Sequence, residues 1–290
     1  MSNPRSVSRL GLLIPVIVLL AGVFLFAHEP VVSQDDDRVC SLIVQNALEV
    51  TAERCDAAGR NQACYGNDLV QAEAQTNVAD FKFATTGDIE DLDRIRTISL
   101  SQMERESGAW GVAQMRLQAD IPDNLTDENV TMLIFGEVML RNEGTAEAVS
   151  LTQPLQAFFL QTGKDDAPCA AAPDSGILIQ TPEGVAEINL LINEVHISLG
   201  STAFIQAQPG GDMEVRLLEG RAQLEAFGQE VVLAPGMKTT IALDAEGRAA
   251  APPAAPIPYE PEVIDPLPIQ NLPETFPLVT PTTTVTPTAS

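Results

Sequence analysis

The chain has 290 residues, with 40 Asp or Glu against 16 Lys or Arg, for a formal net charge of −24. Phosphate-rich partners are repelled by such a field, which excludes nucleic acid and argues against binding to anionic lipid head groups. A hydrophobic fraction of 45% over this length is enough for one large core or two small ones.

Residues 1–9 are a short N-terminal stretch with Arg5 and Arg9, expected on the cytoplasmic side. Residues 10–27, LGLLIPVIVLLAGVFLFA, exceed a usual secretory apolar region and just reach bilayer-spanning length. Asp35, Asp36 and Asp37 beyond them predict the bulk of the chain outside. Cleavage positions are poor, since Leu25 would stand at −3 of a cut after Ala27. A transmembrane signal anchor is therefore favoured over a cleaved leader, which would make the protein secreted. Residues 28–38 are an acidic spacer.

From residue 39, Cys40, Ile43, Val44, Ala47, Leu48, Thr51 and Cys55 recur at helical spacing, with Asp37 as N-cap and Gly59 as terminator. Export makes disulfides the default reading of Cys40, Cys55, Cys64 and Cys169. Cys40 and Cys55 on one helix would stand about 22 Å apart, beyond the ~7 Å a disulfide tolerates. Of the two remaining connectivities, Cys55–Cys64 with Cys40–Cys169 is preferred, because the shorter loop closes at lower entropy. No CxxC pair or nearby His supports zinc, and no metal site is expected. Residues 60–67 read as a loop in which Arg60 and Tyr65 are candidate ligand contacts.

GDIEDLD, residues 87–93, lacks the order of a calcium loop and reads as an acidic turn. Ala109 to Ile121 alternates as a half-buried strand, with Trp110 on its polar register as a candidate stacking residue for a ligand. Asn129 to Leu140 returns in phase after a loop, completing a β-hairpin. Leu155–Thr162 is a further strand, residues 163–175 a loop holding Cys169, and Ile177–Thr181 and Val185–Ile192 two more strands. Three pieces follow: VHISLGSTAFIQA, MEVRLLEGRAQLEA and EVVLAPGMKTTIAL. Each alternates, meets a glycine (Gly200, Gly220, Gly236) and alternates again, so three stacked hairpins turning at those glycines are expected.

These last segments resemble the FecR domain of bacterial envelope proteins, whose GSxA/GT-x-hydrophobic strand precedes V-x-LLEG-x-A-x-V and V-x-L-x-x-G strands. The resemblance covers residues 176–244. CSLIVQNAL, GRNQACYGN and WGVAQMRLQADIPDNL also resemble the N-terminal part of surface proteins with a FecR-like C-terminal half. The resemblance implies an envelope location and a β fold, and no activity. It also suggests surface signalling to a sigma factor. With about nine residues before the apolar segment, that role would run through a partner.

Beyond residue 247 the composition changes: 11 of the chain's 21 prolines fall between Ala249 and Ser290. Residues 248–290 are expected to be a disordered Pro/Thr-rich tail.

No constellation identifies a reaction. His28 and His196 are the chain's two histidines, and neither sits in a nucleophile–base pattern. No phosphate-cradling glycine motif occurs. The expected fold is mainly β: stacked β-hairpins forming a β-sandwich or roll, with a disulfide-clamped N-terminal helical piece and the transmembrane helix. Residues 39–162 are expected as a helix-plus-hairpin region and 163–247 as the FecR-like β domain. The expected function is non-enzymatic and without cofactor: a membrane-anchored, extracytoplasmic module binding a cell-wall polymer or an envelope protein. Signalling through a partner is the alternative, and a carboxylate-based envelope hydrolase stands third.

Overall fold

The computed structural model describes residues 34–279 except 77, 120, 123–127, 143–154 and 186. The expected membrane anchor at 10–27 lies outside the described residues. Among those described, no helix is long and apolar enough to cross a membrane.

Helix α1 spans Gln34–Arg54 and buries Cys40, Ile43, Val44, Ala47, Leu48 and Thr51, the stripe read from the sequence. It starts before Asp37, so that residue is not the N-cap; Asp36 and Asp37 lie in the opening turns, where carboxylates suit the helix dipole. Gly59 is not the terminator either. The helix stops at Arg54, and Cys55 turns the chain into a disulfide with Cys64.

Strands β1 (Gln62–Tyr65), β2 (Val70–Ala74), β3 (Ile89–Asp91), β4 (Ile95–Leu100), β5 (Val112–Leu117), β6 (Val130–Phe135), β7 (Val138–Arg141) and β8 (Ala157–Thr162) follow. They are joined by β9 (Gly176–Gln180), β10 (Ile188–Ile192), β11 (Val195–Ala207), β12 (Asp212–Ala226), β13 (Gln229–Leu233), β14 (Met237–Ala242) and β15 (Ile257–Pro258). Residues 62–65 are thus not loop. β1 lies between β3 and β5, and four residues are too few for their alternation to show in the sequence.

All fifteen strands belong to one continuous sheet that doubles over. One leaf runs β3-β1-β5-β6-β9, then the C-terminal half of β11, the N-terminal half of β12, β14 and β15. The other runs β2-β4-β7-β8-β10, then the N-terminal half of β11, the C-terminal half of β12, and β13. The main core lies between the leaves, where Ile95, Ile98, Met115, Met132, Ile134, Leu140, Ile179 and Val215 are each fully enclosed. The chain passes from leaf to leaf within β11 and β12 and at Gly136, where β6 ends and β7 begins with φ +81°.

Two expectations are corrected here. Gly200 and Gly220 are not turns: they lie in the middle of two long paired strands, Gly200 opposite Arg221 and Gly220 opposite Ser201, where the register shifts between Thr202 and Ala203. Gly220 (φ +74°) and Ser201 (φ +134°) supply the bend that lets one hairpin serve both leaves. Gly236 does turn the chain as expected, at Pro235–Gly236, and the other reversals fall at Pro209–Gly210 and Phe227–Gly228.

The regions 39–162 and 163–247 share one sheet. β6 is hydrogen-bonded to β9, and β8 runs parallel to β10, so strands from both regions share one core. Long-range pairing of this kind leaves no mark in local composition.

The proline-rich segment is not a disordered tail over its described part. Residues 257–279 form a strap across the outer face of the first leaf, with β15 on β14 and a short helix α2 (Pro261–Ile264). Tyr259, Ile264, Leu267 and Leu272 are each 5% exposed or less, packed with Trp110, Phe135, Phe204 and Leu218. Prolines suit such an edge strap because they withhold N–H groups where no ladder continues.

Candidate functional site

The two leaves present their outer faces differently. That of the first leaf carries Val112, Leu133, Phe135, Leu178 and Phe204, and α1 and the strap cover it. Close packing is enforced at Gly176, where a Cβ would meet the Phe204 ring at 2.4 Å. Cys40–Cys169 ties α1 to the loop after β8, and Cys55–Cys64 ties its other end to β1. The helix is thus fastened at both ends.

The outer face of the second leaf is bare among the described residues. Strand register aligns Gln71, Ser99, Met139 and Gln161 in one row. Glu73, Thr97, Arg141 and Phe159 form the next. Asn189, Ser198 and Gln223 continue the surface across β10, β11 and β12, with His196 and Glu225 beside them. Two shallow troughs of about 350 and 240 Å³ open on it. Amides, hydroxyls and paired charges dominate: Arg96 meets Glu73 at 2.6 Å, and Arg141 lies over the Phe159 ring at 5.2 Å. The surface offers hydrogen-bond donors and acceptors on a rigid lattice, together with a partly exposed aromatic ring.

At the bend of the β11–β12 hairpin a trough of about 500 Å³ is lined by Glu183, Glu187, Glu219 and Glu274. Its carboxylates accept from nearby donors: Ser201 Oγ to Glu219 at 2.6 Å, Ser198 Oγ to Glu187 at 3.0 Å, and the Glu183 N–H to Glu274 at 2.7 Å. Ser201 has no histidine partner here; His196 points from the exposed face of β11. Asp88, in the acidic turn, accepts from the Ala84 and Thr85 N–H groups, and these bonds hold its carboxyl below the usual range against the opposing effect of burial. Among the described residues, no group of three or more His, Cys, Asp or Glu is arranged to hold a metal ion.

The residues singled out from sequence do not converge. Tyr65 is 6% exposed between the leaves, packed on Phe83, and its hydroxyl accepts from the Val70 N–H. Trp110 is 1% exposed beneath α1 and the strap, beside Phe135. A ligand cannot reach either ring; alternation had put Trp110 on the polar register without showing that this face is covered. Arg60 is half-buried and donates to the Glu128 carbonyl at 3.0 Å, at the edge of a cleft of about 210 Å³ lined by Arg116, Thr131, Gln180 and Glu274.

One cluster escaped the sequence reading. Glu214 takes Arg216 at 2.5 Å, Lys238 at 3.3 Å and Lys164 at 3.5 Å, and Lys238 also meets Glu260 of the strap at 2.8 Å. Burial pushes the Glu214 carboxyl up, but the three cations outweigh it and hold the group below its ordinary 4.5. Arg216 and Lys238 stand directly opposite each other on β12 and β14, so the two carboxylates separate like charges. Charged residues at 214, 216 and 238, alternating with Met213, Val215 and Leu217, were the available signal. The cluster fastens the strap.

No protein-family model matches the chain, and no curated protein sequence matches it. Two solved structures are similar over part of the fold, both of a protein described provisionally as an anti-sigma factor from Parabacteroides distasonis. Each shares 8% identity at a TM-score of 0.34, over 57% of this chain and 60% of that one. This chain therefore spans less than two thirds of the protein it matches, and a likeness this low transfers neither fold nor role.

Proposed function

We propose that this chain is a non-enzymatic, extracytoplasmic module of a bacterial envelope, anchored by residues 10–27, that binds or displays through the open face of its second leaf. The observation that carries this reading is the asymmetry of the leaves. One outer face is sealed by a disulfide-fastened helix and a strap, and the other presents ordered polar side chains from strand after strand. Two disulfides, with Cys40, Cys55 and Cys64 buried and Cys169 partly buried, support an oxidising compartment. The FecR-like pattern over 176–244 supports an envelope setting. Bend-trough carboxylates that already serve as hydrogen-bond acceptors support binding over hydrolysis.

The test immobilises the oxidised full chain and presents wall polymer, membrane and soluble envelope protein fractions separately. Retention of one fraction, lost when Arg141, Gln161 and Asn189 are replaced together by Ala, is the expected result. Equal retention by that triple variant would overturn the assignment of the face. Capture of a sigma-factor-associated protein would favour the signalling role.

A further inference from the structure

The sheet has four edges among its described strands, and three are blunted. β2 has a bulge between Glu73 and Ala74, and Glu73 is ion-paired with Arg96. β3 has three residues and β15 two, the latter flanked by Pro256 and ending in Pro258. Shortness, bulges, prolines and satisfied charges are the ways in which natural sheets discourage further pairing. β13 uses none of them. It has five residues, pairs in unbroken register with β12, and among the described residues has no strand on its other side.

Its free side is well defined. Phe227 (φ +54°) and Gly228 (φ +68°) make a two-residue turn closed by Ala226 and Gln229. Hydrogen bonding then alternates along the pair, so Gln229, Val231 and Leu233 are bonded to β12 and the N–H and C=O groups of Glu230 and Val232 face outward. Beside that row Phe227 is 64% exposed and Val232 44% exposed.

Charge names the partner. Glu225 and Glu230 are directly opposite each other in a non-hydrogen-bonded pair, where side chains come closest. Like charges so placed destabilise a sheet, and among the described residues neither forms a salt bridge. A lysine at 230 would have guarded the edge and paired with Glu225; a second glutamate leaves an unneutralised negative row ending at an open edge.

We propose that β13 is a strand-addition site for an extended partner segment that pairs with Glu230 and Val232, placing a basic side chain against Glu225 and Glu230 and an apolar one against Val232. A second copy of this chain is disfavoured as occupant, since a net charge of −24 and Glu230 at the junction repel it. The inference rests on the binding-module reading and narrows it to a protein partner.

The test uses the oxidised full chain and two acetylated peptides, Thr-Lys-Thr-Val-Thr and Thr-Glu-Thr-Val-Thr, because Glu230 and Val232 share one face of β13 and so meet partner residues two apart. The lysine peptide should bind about tenfold more tightly, and it should slow amide exchange at Glu230 and Val232 specifically, which charge attraction to an acidic protein would not do. Val232→Pro removes an outward N–H that the fold does not use, so it should abolish binding at an unchanged melting temperature. Should that variant unfold, Glu230→Lys gives an independent reading, since it should reverse the preference between the peptides. Absence of binding, or binding without protection at those two amides, overturns the proposal. Concentration-dependent protection without peptide would also overturn it, in favour of self-pairing. Retention of a wall polymer that is indifferent to Val232→Pro would sink this inference and leave the binding-module reading standing.

Discussion

Gly220 stands opposite Ser201 at the bend of the β11–β12 hairpin, so close that a Cβ on the glycine would lie 2.3 Å from the Ser201 Cβ and 2.1 Å from the Gly200 carbonyl oxygen. Backbone occupies that space, and backbone cannot move aside without opening the bend. Gly220→Ala should therefore cost about 3 kcal/mol, from the left-handed conformation and overpacking combined. Gly228 has a similar φ of +68° with nothing within 4 Å of its Cβ position, so Gly228→Ala should cost only about 1 kcal/mol. Urea unfolding of the pair separates steric from conformational cost, and equal losses would refute the close approach.

The two disulfides close loops of different length, with sequence separations of 129 for Cys40–Cys169 and 9 for Cys55–Cys64. On the chain-entropy argument, replacing the first pair by Ala should cost about 5 kcal/mol and the second about 3. Denaturant midpoints of the two double variants give the order. The opposite order would mean that packing around α1, rather than loop closure, sets the contribution.

Acid should loosen the strap. Glu214 and Glu260 both have carboxyl groups held below 4.5, because their cationic partners outweigh the upward push of burial. A depressed folded value means that the stabilisation is complete above about pH 4.5 and disappears as pH falls through the lower folded value. Glu214→Gln leaves Arg216 and Lys238 facing each other and should cost about 3 kcal/mol at neutral pH, while flattening the acid limb of the stability curve. An acid limb unchanged by the substitution would remove the cluster from the account.

Trp110 is the chain's sole tryptophan, and it is 1% exposed in the cluster that seats Tyr259. Its emission should lie at short wavelength and resist iodide quenching. Tyr259 packs there and donates from its hydroxyl to the Val279 carbonyl at 3.0 Å. Tyr259→Ala should shift the emission to longer wavelength, and a protease should then cut within residues 257–279, which the native protein protects. Ready cleavage of the native strap would contradict its packing.

The β character, the stripe of α1, and the pairing of Cys55 with Cys64 and Cys40 with Cys169 were all legible in the sequence. The first two follow from local periodicity, and the pairing from what one helix forbids together with the lower closure entropy of the shorter loop. Trp110 and Tyr65 were legible as unusual residues and misleading as ligand contacts, because alternation tells which side of a strand a residue occupies but not what covers that side. The prolines from Pro252 onward were read as disorder by composition alone. Yet Tyr259, Ile264, Leu267 and Leu272 among them are spaced to fill a groove whose existence depends on β9, β11 and β12.

The residues by themselves determined that strands dominate and that four cysteines make two bridges. Only the folded chain decided that Gly200 and Gly220 lie within two bent strands instead of ending four. It alone also decided which leaf is sealed, and that β13, among the described residues, carries no strand on its outer side. The physical reason is range: backbone preference and apolar alternation act over a few neighbours, whereas the cover over a face and the mate of an edge strand come from segments far away in sequence.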